Sequence, residues 1–297
     1  MMNLKSLFFV TLLCGFTVSV CAQGNILNAK VPEEMFDSTI EQLLADNDNP
    51  LPYGYVEKRD VLWSKNTWEI IDLDERVNFP LYYPVDTLNI GSDRRSLYDV
   101  LIKNIKNGNI DAIYADSYFS EKTSLEDIKA ALRTVDTTDY GIEQFNAEGI
   151  VSPEYINIRE LSAYDIQEYR IRGTWYIDKR QGELKYRMLA IAPVAPDVNF
   201  IDDDEPDLIP LFWVWLPGAR DVLHQAKAFN RRNTSTPISF DHLLNSRRFN
   251  GVVYKEDNVQ GDRLVKDYIS NNAMNQLLES NRIREGIRNI EQDLWNY

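Results

Sequence analysis

The sequence predicts an α+β fold: a mostly antiparallel sheet with flanking helices, an extended N-terminal arm and a helical C-terminal tail. Three observations predict it. Tyr169, Ile171, Gly173, Trp175 and Ile177 alternate along one face, Asp178 to Gly182 turns, and Leu184, Tyr186, Met188 and Ala190 alternate in reply, which is the pattern of a β-hairpin. Leu97, Val100, Leu101 and Ile105 recur at helical spacing, as do Ile283, Ile287, Ile290 and Leu294 near the end. "LIPLFWVWL", residues 208–216, is a continuous apolar run, as in a strand buried on both faces.

The elements follow in order. Lys5 precedes an apolar run, Leu7 to Val20, that is too short to span a bilayer and ends in Val20-Cys21-Ala22. Residues 1–22 therefore read as a secretory signal cut between Ala22 and Gln23. A lipoprotein signal acylated on Cys21 is the rival reading, and Val20 stands where that signal needs a smaller residue. Residues 23–58 are polar and acidic, with prolines at 32, 50 and 52, and read as an extended arm with one short helix near Ser38–Leu44. Residues 59–260 form the α+β core domain and 261–297 the helical tail.

Within the core, Val61, Trp68 and Ile71 share one helical face and Trp63 with Ile70 an adjoining one, so a helix is expected from about Arg59 to Leu73. Asn78 to Pro84 is expected to be extended, because Pro80 and Pro84 oppose a helix. Ser96 can cap a helix that Gly108 stops. Thr-Ser-Leu-Glu from Thr123 reads as a capping box, with Leu125, Ile128 and Leu132 behind it. Val222, Leu223, Ala226 and Phe229 are spaced for one helix face, Phe240 to Ser246 suggests a short helix, and "GVVY" at 251–254 an edge strand. No repeat of 20 to 50 residues is present.

Charge and composition exclude several chemistries. The formal net charge is −14, which repels nucleic acid and anionic lipid except where bases gather. They gather between Arg220 and Asn250, where Arg220, Lys227, Arg231, Arg232, Arg247 and Arg248 face only Asp221 and Asp241. Glu33–Asp48 and Asp197–Asp207 each carry six acids and no base. Both cysteines, Cys14 and Cys21, fall within the signal, so the mature chain would have no disulfide and no thiolate chemistry.

Catalysis is poorly supplied. There is no Gly-x-Ser-x-Gly elbow and no phosphate-cradling glycine loop. His224 and His242 are the only histidines, and each sits beside a leucine in an expected helix as a half-buried spacer. Zinc would need more His or Cys, and the acidic run at 202–207 lacks the spacing and glycine of a calcium loop, so no metal and no cofactor are expected. Paired carboxylates, Asp203 and Glu205 among them, keep a carbohydrate-active enzyme as the alternative. Aromatic side chains favour a binding part instead. Trp63, Trp68, Tyr82 and Tyr83 exceed what their elements need, whereas Trp213 and Trp215 fit a core.

"VLWSKNTWEIIDLDERVNFPLYYP" at 61–84 resembles the signature stretch of the GldN family, called PorN in non-gliding relatives. The likeness continues through "YFSEK", "EYINIRELSAYDIQEYRIRGTWYIDKRQGELKYRMLAIAP" and "LFWVWLP", over essentially the whole mature chain. The resemblance implies a non-enzymatic periplasmic component of the type IX secretion and gliding motility machinery of Bacteroidota. It implies a ring with the outer-membrane lipoprotein GldK or PorK that also meets the inner-membrane motor protein GldM or PorM, with no membrane span of its own and no catalytic residues. A ring of identical subunits joins one patch to a different patch on its neighbour. Arg231, Arg232, Arg247 and Arg248 are expected to face Asp202, Asp203, Asp204 and Glu205 of a neighbour or an acidic partner. Exposed members of Trp63, Trp68, Tyr82 and Tyr83 are expected to be covered on assembly.

Overall fold

The computed structural model describes residues 49–86, 94–200, 206–231, 233, 236–270 and 272–295. The expected signal with its cut at Ala22–Gln23, most of the arm, Arg232 and the acidic residues Asp202, Asp203, Asp204 and Glu205 lie outside the described residues.

In chain order the strands are β1 (Val61–Asp72), β2 (Ile113–Tyr114), β3 (Arg133–Thr137), β4 (Ile156–Glu160), β5 (Glu168–Asp178), β6 (Glu183–Pro196), β7 (Leu208–Pro210), β8 (Trp213–Trp215), β9 (Lys227–Ala228), β10 (Ile238–Ser239) and β11 (Val252–Glu256). The helices are α1 (Phe79–Tyr82), α2 (Leu97–Lys106), α3 (Leu125–Leu132), α4 (Asp139–Glu148), α5 (Leu216–Gln225), α6 (Phe240–Asn245), α7 (Val265–Tyr268) and α8 (Ala273–Trp295). The main sheet runs β11-β1-β5-β6-β8-β2, with β7 also on β6, and every pairing is antiparallel. The fold is thus the α+β arrangement the sequence predicts. β3 with β4 and β9 with β10 form two separate ribbons.

The β5–β6 hairpin closes at Asp178 and Glu183, with Gly182 at φ 65° supplying the left-handed turn residue. Gly173 answers a different need: a Cβ there would lie 2.1 Å from the Tyr186 hydroxyl, so only glycine lets that ring lie across β5. On one face Ile171, Ile191 and Val214 sit in register and pack with Leu97, Leu101, Leu223, Phe240 and Leu244 from α2, α5 and α6. The opposite face carries Trp68, Ala190 and Ala192, covered by Tyr114 and Phe119. Beyond the β11 edge, Ile283 and Ile287 of α8 pack on Val253 and Val265.

Several expectations are corrected. Residues 61–72 are the second strand of the main sheet and not a helix. The strand is covered on both faces, so apolar side chains fall on both sides and also gather into a broad arc on a helical wheel. Thr67, Trp68, Glu69 and Ile71 are all buried. Its β-branched and aromatic residues settle the choice. Residues 79–82 form one helical turn despite Pro80, because proline in the first turn removes an N–H that has no partner in a helix anyway.

The apolar run 208–216 is two short strands. Pro210, in register with Val194, and the adjacent Pro193 have no N–H to give, so the ladder on β6 is interrupted between β7 and β8. The capping box falls one residue later than expected, with Ser124 and Asp127 bonding each other's backbone N–H. α5 begins earlier than expected and ends at Gln225, leaving Phe229 outside it.

Candidate docking cleft

The ladder ends of β1 and the ribbon formed by β9 bring two distant segments side by side. After β1 the chain turns through Arg76 and Val77 into α1, which presents Phe79 and then Tyr83. Asn78 fixes that turn: its amide donates to the carbonyls of Asp72 (2.7 Å) and Asn250 (3.0 Å) and its oxygen accepts from the Asn250 N–H (2.9 Å). Phe229 and Arg231 follow β9, and Arg94 comes from the approach to α2. Together these side chains line a cleft of about 610 Å³.

Its chemistry is that of a recognition surface. Val77, Phe79, Tyr83 and Phe229 are exposed, Tyr83 by 49%, and the Phe79 and Tyr83 rings meet edge-on at 5.4 Å. The Arg94 guanidinium lies 4.9 Å over the Phe229 ring. Arg76 and Arg231 are exposed and form no ion pair with the described residues. Among the described residues no acid lines the cleft. Aromatic platforms beside arginines bind by stacking and by charge-assisted hydrogen bonds, so the cleft suits an apolar or aromatic group carried on an acidic segment.

The expected interface residues divide. Tyr83 and Arg231, from stretches far apart in sequence, meet in this cleft. Tyr82 is half-buried and donates its hydroxyl to the Tyr164 carbonyl at 3.1 Å. Trp63 is half-buried against the cluster under α8. Trp68 is 0% exposed, with the Arg172 guanidinium 5.1 Å and the Lys255 ammonium 4.6 Å from its ring, so it is a core residue and not a surface anchor. Arg248 is exposed but does not line the cleft. His224 is half-buried as expected, whereas His242 is exposed.

Arg247 corrects the idea of one continuous basic face. Its guanidinium donates to both oxygens of Glu69 at 2.7 and 2.9 Å, and Tyr186, Trp175 and Phe249 surround it at 4.3 to 5.4 Å. Burial alone would lower its pKa, but Glu69 and the neighbouring Tyr186 outweigh that and raise it. Arg220 is likewise spent inside, bidentate to Asp241 at 2.8 and 3.0 Å. A buried cation without a partner would be strongly destabilising, so the fold neutralises these two and leaves Arg231 outside. A separate cleft of about 370 Å³ is this Glu69–Arg247 site, with Arg284 and Ile287 of α8 along its wall.

Arg76, Arg94, Phe79 and Phe229 were not singled out by sequence, although Arg76 and Phe79 lie in the 61–84 stretch. The described part of the arm is fastened down: Tyr53 donates to Asn245 at 2.8 Å, and Arg187 and Arg180 hold the Gly54 and Tyr55 carbonyls at 2.8 and 2.9 Å. Among the described residues there is no group of three or more potential metal ligands and no helix long and apolar enough to cross a membrane.

The chain is thus an antiparallel α+β protein with an aromatic–arginine cleft on its surface. The family model described as gliding motility associated protein GldN matches residues 56–296, and the chain belongs to that family. It is therefore a gliding-motility-associated protein. No curated protein matches the chain.

Proposed function

We propose that this chain is a non-enzymatic structural component of the type IX secretion and gliding machinery, held in the periplasm at the outer membrane. In this reading residues 1–22 direct export, 23–58 are an arm, 59–260 the core and 261–297 the tail. The protein assembles into a ring with the lipoprotein GldK or PorK and contacts the motor protein GldM or PorM. Family membership supports the machinery. The observation that carries the docking role is the cleft where exposed Tyr83, Phe79 and Phe229 stand beside Arg76 and Arg231, which form no ion pair with the described residues. Tyr and Arg in such settings contribute most to protein interfaces.

The test is co-expression with the lipoprotein followed by mass measurement of the purified complex. Replacing Arg76, Tyr83 and Arg231 together by alanine removes the large assembly while the thermal unfolding midpoint stays within about 1 to 2 °C of the parent, as for ordinary surface changes. A variant that assembles like the parent would sink the docking role of the cleft.

A further inference from the structure

The ribbon of β3 and β4, closed over by α4, stands apart from the main sheet as a lobe spanning residues 133–160. Its helix leans on the ribbon through backbone: a Cβ on Gly141 would lie 2.6 Å from Thr137 Cγ2 and 2.9 Å from Tyr155 Cβ. Only Gly141 of α4 is buried. Every other α4 side chain is at least partly open to solvent, and several are large and apolar: Tyr140 by 73%, Phe145 by 57% and Ile142 by 49%. Ile150 just beyond the helix is exposed by 71%. Val135 and Ile158, cross-strand partners in the ribbon, are exposed as well. Apolar surface concentrated this way marks a contact site.

The lobe is also strongly acidic. It holds six acids, with Asp139, Glu143 and Glu148 in α4 itself, against Arg133 and Arg159. Those three helix acids form no ion pair with the described residues. The docking cleft is its complement in each respect. It is concave where the lobe protrudes, aromatic where the lobe offers Phe145 and Ile142, and lined by arginines where the lobe offers carboxylates.

We infer that the cleft of one copy receives the 133–160 lobe of a second copy, with Phe145 seated among Phe79, Tyr83 and Phe229 and the α4 acids facing Arg76 and Arg231. This rests on the docking role proposed above and names the occupant. A second copy is favoured over another acidic protein because both halves are on one chain and opposite in sign. At −14 per chain, copies repel one another generally, so association needs a place where opposite signs meet. Lobe and cleft are different surfaces, so the contact is heterologous and each copy keeps one free end for the next.

The full chain is studied alone by sedimentation velocity at low and high salt. The cleft variant Arg76→Glu with Arg231→Glu and the lobe variant Asp139→Lys with Glu143→Lys each raise the dissociation constant about tenfold or more, because like charges then face each other. An equimolar mixture of the two is decisive: the acidic lobe of one meets the arginine cleft of the other and the Lys-bearing lobe meets the Glu-bearing cleft, so the mixture associates again with the two variants alternating. A chain carrying all four changes associates again with the signs exchanged. Phe145→Ala, which leaves charge untouched, weakens association without altering salt dependence, and unchanged thermal unfolding confirms that each variant is folded.

The inference is overturned if the parent stays monomeric at all salts, if both variants associate like the parent, or if the mixture does not pair. If the mixture fails to pair while the cleft variant still loses its assembly with the lipoprotein, the cleft serves that partner instead. The docking role then stands and only the lobe is excluded.

Discussion

Arg247 and Arg231 stand sixteen residues apart in sequence and both sit among aromatic rings, yet they do opposite work. Arg247 is enclosed by Trp175, Tyr186 and Phe249, with Glu69 holding its charge. Arg231 lies open beside Tyr83 and Phe229 with no acid among the described residues of the cleft. The same side-chain chemistry fastens the fold where a carboxylate accompanies it inside, and stays open to solvent where none does. Arg172 lies between these extremes: half-buried among Trp68, Tyr118 and Phe119, its pKa lowered by that burial, it has Asp257, Asp116 and Asp262 nearby.

The comparison breaks most readily at Glu69. Glu69→Gln leaves the buried Arg247 without its carboxylate, and Arg284, 3.9 Å from the same group, loses its counter-charge. Stability falls by about 3 kcal/mol, toward the lower end for broken buried pairs because Arg247 keeps some solvent contact. Arg231→Ala stays within about 0.5 kcal/mol. Urea unfolding of both variants measures the difference, and equal values would abolish the distinction between an enclosed and an open arginine.

A smaller effect probes the aromatic wall. Gly173→Ala drives a methyl into Tyr186, the ring nearest Arg247 at 4.3 Å. The ring must shift, with a loss of about 1 to 3 kcal/mol. Unchanged unfolding in urea would mean that the wall is loosely packed and that Glu69 alone holds Arg247.

The smallest effect concerns the intermediate case. The Asn258 backbone N–H and the Tyr118 hydroxyl, the latter at 2.9 Å, donate to Asp262 and hold its carboxyl below the ordinary 3.8. A carboxylate with a depressed folded-state pKa contributes stability that is complete above its unfolded value and is lost as pH falls through the folded one. Acidifying from about pH 6 to about pH 3 therefore destabilises the parent through this group, and Tyr118→Phe, lacking one donor, loses less by a few tenths of a kcal/mol. Paired urea titrations at the two pH values check this, and a larger acid loss in the variant would reverse the sign.

Legibility in sequence varied with how local the cause was. The β5–β6 hairpin, α2 between Ser96 and Gly108, and the apolar stripe of α8 through Ile283 and Ile287 all declare themselves by spacing, because turns, caps and amphipathic faces act within a few residues. β1 did not. A strand covered on both faces carries no alternation, so Trp63, Trp68 and Ile71 imitate a wide helical face. The lobe at 133–160 is not legible as a unit, because its outward Tyr140, Ile142 and Phe145 pack on no other part of the chain that a core-facing stripe would reveal. Tyr83 and Arg231 were each legible as candidates; their meeting was not.

The sequence by itself determined the α+β class, the principal hairpin and helices, and the family signature that places the chain among gliding-motility-associated proteins. Tertiary structure alone decided which aromatics and arginines are available. Trp68 is buried and Arg247 half-buried on Glu69, while Tyr83 and Arg231 stay outside. Residue type sets what a side chain can bind, but desolvation and the presence of an opposite charge from a remote strand decide whether it is already satisfied, and those depend on neighbours distant along the chain.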